Sequence, residues 1–182
     1  VLMQVQTEVA RRLGGPTGIL THLDYTEEYQ RLAAVQGVLL DADGSVWYNW
    51  FDEFEFVAPA EVGFNLDANI ESSLRPIINA MTRDMARSAQ GCFTTQTSVV
   101  GLCGDSFYDK FITHVDVEKT FKNWSDASEL RVGGAFKHFN FAGVDWVNYR
   151  GSDDNSSIKI PNDKVKFFPK NALGIFEKAM AP

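Results

Sequence analysis

Lysine is missing from the first 109 residues, cysteine occurs only twice in 182, and no apolar run comes near the roughly 20 residues that span a bilayer. Runs as short as Val38 to Leu40 and Val99 to Val100 exclude a transmembrane helix. Cys92 and Cys103 are too few for a secreted disulfide framework and lack metal-ligand spacing, so they favour a reduced, intracellular origin and read as buried thiols. Seventeen Lys and Arg against 24 Asp and Glu give a net charge of -7, which argues against a smooth electrostatic grip on nucleic-acid phosphates. Neither a Gly-x-Gly-x-x-Gly nor a Walker-type loop is present, so nucleotide binding has no support. The opening from Val1, broken by Gln4, Gln6 and Glu8, has no signal-peptide pattern, and the missing initiator Met points to a fragment.

What is present is the balance of an ordered globular chain, 45% hydrophobic and 23% charged, with enough length for two linked lobes. Aromatic residues make up 13% and crowd into Trp47 to Phe56 and Phe136 to Tyr149, which suits broad packing faces within and between subunits.

Hydrophobic spacing predicts the elements. Leu2, Val5, Val9 and Leu13 recur at helical spacing until Gly14, Gly15 and Pro16 stop them. A capping-box-like Asp24 and Glu27 predict a second helix over 25–36, ended by Gly37. Val38 to Asp41 and Ser45 to Asn49 flank Ala42-Asp43-Gly44 as a hairpin, whose return strand continues through Val46, Tyr48 and Trp50. Ile70 to Met85 forms an apolar stripe, with Pro76 in its first turn or kinking it. Thr97 to Cys103 reads as a buried strand, Asp105 and Asp116 as caps of two short helices, and Gly133-Gly134 as a break. From Phe136 to Arg150 the period is two, with Phe139 and Phe141 on one face and Phe136 and His138 on the other. After the polar loop Gly151 to Ser157, Ile158, Ile160, Val165 and Phe167 point to two short closing strands.

The sharpest enzymatic pattern is Leu40-Asp41-Ala42-Asp43-Gly44-Ser45, followed later by Gly104-Asp105-Ser106. It resembles haloacid-dehalogenase-type phosphatases, and that resemblance implies Asp41 as nucleophile, Asp43 as acid/base and Asp105 as magnesium ligand. Three features oppose it: between the motifs only Arg75, Arg83 and Arg87 could supply the cation, a hairpin follows the first motif, and little room remains for a doubly wound parallel sheet. An EF-hand would need a third aspartate and a closing glutamate that are missing. His22, His114 and His138 lie far apart and read as structural. Ser106 lacks a nucleophile elbow, and no histidine neighbours either cysteine in sequence. No catalytic residue, cofactor or metal ligand is therefore assigned.

A broader resemblance covers most of the chain. Tyr29-Gln30-Arg31-Leu32, Gln36-Gly37, Leu40 to Val46 and Trp50-Phe51-Asp52-Glu53-Phe54 are similar to the major capsid protein E family of lambda-like tailed phages and prophages. Leu102 to Asp105 with Phe107, Phe141-Ala142-Gly143 and Tyr149-Arg150-Gly151 resemble its later segments. Ile160 to Asp163, Phe168-Pro169, Gly174-Ile175-Phe176 and Ala181-Pro182 resemble its closing pattern. The resemblance implies an α+β chain of the Hong Kong 97-type capsid fold. Residues 1–58 would supply the peripheral domain with spine helix and hairpin, 59–150 the axial domain with a central sheet, and 151–182 strands returning toward the periphery. Gly14 to Leu20 interrupts what would be one long spine helix, and the N-terminal arm and extended loop that precede the spine in that fold are absent. The implied role is structural: hexamers and pentamers of this chain tile an icosahedral virion shell, assembled in the host bacterial cytoplasm. Scaffold, decoration and portal proteins would be further partners, and the DNA would be enclosed without sequence-specific binding. The acidic balance suits a container that must not stick to its contents.

Overall fold

Glycine sets the first boundaries. Helix α1 (Leu2–Leu13) closes where the Gly14 N–H donates to the Ala10 carbonyl, and Gly15 turns the chain at φ 87°. Helix α2 (Ile19–Gln36) restarts behind Gly18, six residues before the predicted start. The Asp24–Glu27 box lies inside the helix, because the His22 N–H already donates to the Gly18 carbonyl and fixes the first turn there. Gly37 ends α2 at φ 80°, and a Cβ there would collide with the Phe51 ring, so both geometry and space demand glycine.

The computed structural model describes residues 2–15, 18–41, 45–122, 138–149 and 159–177, which form two compact units, 1–59 and 60–182. Asp43, the Gly133-Gly134 break, Phe136, the 151–157 loop and Ile158 lie outside the described residues.

In the first unit, β1 (Val38–Leu40) pairs antiparallel with β2 (Val46–Asn49). Trp50 does not continue the strand. The Asn49 side chain accepts from the Phe51 N–H at 3.1 Å and so caps the short helix α3 (Trp50–Glu53).

The second unit mixes helices with a four-stranded sheet. After a 3-10 turn at Leu66–Ala68 come α4 (Leu74–Ser88), β3 (Ser98–Cys103), α5 (Asp105–Ile112) and α6 (Val115–Lys122). Strands β4 (Phe139–Phe141), β5 (Val144–Asn148) and β6 (Val165–Lys170) follow, in sheet order β4-β5-β3-β6. Strand β3 runs parallel to β5 and antiparallel to β6. Ala142 and Gly143 both take positive φ, 54° and 80°, which matches the primed turn that joins β4 to β5. Residues 165–170 thus pair within the four-stranded sheet of the second unit. They form the one closing strand among the described residues, while Ile160 is fully buried outside any strand.

Gly101 faces Trp146 on one neighbouring strand and Phe167 on the other. Its missing side chain leaves room for these rings to meet edge to face, 5.4 Å apart. Phe111 stacks on Trp146 at 3.9 Å, and the indole N–H donates to the Phe141 carbonyl at 3.1 Å. Leu74 and Ile78 of α4 and Tyr108 of α5 complete this core.

The predicted caps are redistributed. Asp105 is the first residue of α5, behind Gly104, and lends its charge to the helix dipole. Asp116 caps α4 rather than its own helix: its carboxylate accepts from the Ser72 and Leu74 N–H groups at 2.5 and 3.1 Å. His114 takes over at α6, where its carbonyl accepts from Val117 and Glu118 and its Nδ1 from the Asp116 N–H. Helix α4 accordingly starts at Leu74, Ile70 stays outside it and exposed, and Pro76 sits in the first turn.

Candidate functional site

The phosphatase-like aspartates meet different fates. Asp41 is exposed at the end of β1, in the two-stranded hairpin of the first unit, and its N–H donates to the Ser45 carbonyl. Asp105 follows β3 in the four-stranded sheet of the second unit. A phosphatase of that type needs both strands in one parallel sheet, and these two belong to different sheets. The Phe107 N–H at the start of α5 donates to the Asn162 carbonyl at 2.8 Å, and the Gly104 N–H to the Lys164 carbonyl at 2.9 Å. The Pro161–Lys164 turn therefore takes two of the amides at this helix start, and a Cβ on Gly104 would collide with it. Lys164 also pairs with Glu61, which lowers the carboxyl pKa and raises that of the amine.

The other candidates separate too. His114 is buried, whereas His22 and His138 are exposed. Among the described residues no three His, Cys, Asp or Glu side chains gather at a metal-sized site. Cys103 is buried, and desolvation pushes its thiol well above the usual range, which suppresses thiolate chemistry. Cys92, expected to be buried, is half-buried just past the turn that follows α4.

What the structure gathers is an apolar surface on the first unit. Val5, Val9 and Leu13 of α1 are 56, 49 and 41% exposed, and Ile19, Leu20 and Leu23 of α2 are 54 to 59% exposed. On the hairpin and just past α3, Trp47, Phe54 and Phe56 are 70, 58 and 66% exposed. Phe54 and Phe56 stack with centroids 5.8 Å apart, and the Tyr48 and Trp50 rings meet edge-on at 6.5 Å. Below them a shallow groove of about 330 Å³ is lined by Ala34, Val35, Gly37, Trp50, Phe51, Phe54 and Phe56. That volume is at the small end of ligand sites, and no charged side chain lines it. The apolar stripe of α1 was legible as a helical period; its exposure was not.

A mixed helix-and-sheet chain that leaves so much apolar surface uncovered is a protein built to pack against other protein. The chain belongs to the phage major capsid protein E family, whose model matches residues 1–182. It is thus a structural protein of the bacteriophage capsid. A comparison with curated proteins found no match.

Proposed function

We propose that many copies of this chain tile a closed icosahedral shell around the phage genome, through heterologous contacts in hexamers and pentamers. The observation that carries this reading is the uncovered apolar surface of residues 1–59, in a chain whose family is a capsid family. In this reading the fold is of the Hong Kong 97 type. Residues 1–58 act as the peripheral part, with α1 and α2 as an interrupted spine, and 59–150 as the axial part. Residues 151–182 carry the closing strands back toward the peripheral part. Assembly takes place in the host cytoplasm with scaffold, portal and decoration proteins, and the shell holds DNA without reading its sequence. Catalysis has no part in this role.

Negative-stain electron microscopy of the chain, expressed with its co-encoded scaffold, tests the proposal. Closed shells are the expected result, with Trp50→Ala lowering their yield. Soluble monomers with a magnesium-dependent phosphatase activity lost in Asp41→Asn would overturn it.

A further inference from the structure

The two unpartnered apolar features of the first unit are complementary to each other. The segment that supplies Trp50, Phe51, Phe54 and Phe56 to the α2–α3 groove also carries the exposed Asp52, Glu53 and Glu55, and no Lys or Arg occurs between residues 32 and 60. Helix α1 carries the opposite charge at its C-terminal end. Arg11 and Arg12 share the single carboxylate of Glu8 at 2.9 Å, and their side chains stay 73 and 71% exposed. Beside them Val5, Val9 and Leu13 recur every four residues on one face, the spacing of a helix that docks in a groove. All three remain exposed in the folded chain, so α1 does not fill the groove of its own subunit.

We propose that the α2–α3 groove receives helix α1 of a second copy of this chain, Val5, Val9 and Leu13 packing on Trp50, Phe54 and Phe56 while Arg11 and Arg12 meet the carboxylates of Asp52, Glu53 and Glu55. The inference rests on the reading of the chain as a self-assembling subunit and adds which surfaces meet. Because helix and groove are different patches, the contact is heterologous: each copy gives α1 to one neighbour and takes α1 from another, as a ring of subunits requires.

Sedimentation velocity on the full chain tests this by charge exchange. The unaltered chain self-associates with concentration. Arg11→Glu with Arg12→Glu places an acidic helix against an acidic groove, and Glu53→Lys with Glu55→Lys places a basic helix against a basic groove, so each variant alone associates about tenfold more weakly. Mixed in equal amounts, the two variants restore opposite charges at every contact, and association recovers. A chain that stays monomeric, variants that associate like the parent, or a mixture that fails to recover while both variants keep their helical circular dichroism would overturn the proposal. A second measurement leaves charge untouched. Val9→Cys and Phe54→Cys chains, both carrying Cys92→Ser, form an intermolecular disulfide when mixed, and its absence overturns the contact. Normal shells from the Arg11→Glu, Arg12→Glu variant would sink this contact and leave the capsid reading standing. Disulfide-linked chains without shells from the parent would do the reverse.

Discussion

Residues 1–59 and 60–182 treat their apolar side chains in opposite ways. Among the described residues, 15 of the 17 buried hydrophobic residues belong to the second unit, whereas 14 of the 18 large hydrophobic residues left exposed belong to the first. Helices α1 and α4 make the contrast concrete. Both carry an apolar stripe of the same period, yet Leu74 and Ile78 of α4 are fully buried while Val5 and Val9 of α1 are about half exposed. Periodicity says which face of a helix is apolar; what covers that face depends on whether the same chain supplies a sheet to lie on it. The second unit saturates its own apolar surface. The first leaves much of its own exposed.

The largest expected effect that sharpens this comparison is Trp146→Ala. Its ring contacts Phe107, Phe111 and Phe167, so truncation should destabilise the second unit by about 3–5 kcal/mol, measured by urea unfolding. Asp116→Ala ranks next. It strips two backbone N–H groups at the start of α4 of their acceptor, a loss of about 1–3 kcal/mol in thermal unfolding, and Asp116→Asn should recover part of it.

Alkali offers a third test. Burial, then the nearby Cys103 and Asp109, pushes the Tyr108 hydroxyl from 10.0 up to about 12. The unfolded chain therefore loses this proton first. The stability contributed by neutral Tyr108 is intact below pH 10 and disappears as the pH rises toward about 12. Circular dichroism of the core should fall together with the appearance of tyrosinate absorbance, and a fall complete below pH 10 would remove Tyr108 as its cause.

Limited proteolysis probes the boundary itself. Every residue from Asp52 to Gly63 is exposed, so early cuts should cluster there and leave a resistant fragment that begins near Ala60. The smallest expected effect closes the comparison: Trp47→Ala, on a side chain 70% exposed, should change the stability of the single chain by less than about 0.5 kcal/mol. If it cost as much as Trp146→Ala, the contrast between the two units would break.

Much of the fold was legible residue by residue. The ends of α1 and α2 follow from Gly14 and Gly37, the strand over 98–103 from its apolar run, and β4 and β5 from a period of two. What failed were local signals outvoted by distant ones. Asp24 looked like a cap, yet the helix had already started at Ile19. Asp116 looked like the cap of its own helix, yet its carboxylate reaches the N-terminus of α4, 42 residues away in sequence. The acidic motif at Asp105 was visible as a pattern, but not the Pro161–Lys164 turn that covers its helix N-terminus, because that hydrogen bond joins positions 55 residues apart. The aromatic cluster Trp47 to Phe56 was legible as a packing face, but the α2–α3 groove was not, since it forms only where residues 34–37 and 50–56 pack side by side.

The family, the mixed helix-and-sheet class, the glycine-set breaks and the acidic charge rest on residue identity or on neighbours within a few positions, and so could be read from the residues in order. Which apolar stripe is core and which is surface, and that the strands leading to Asp41 and Asp105 belong to different sheets, emerge only once the chain is folded. Burial and convergence are properties of side chains far apart along the chain, and no local period or propensity encodes them.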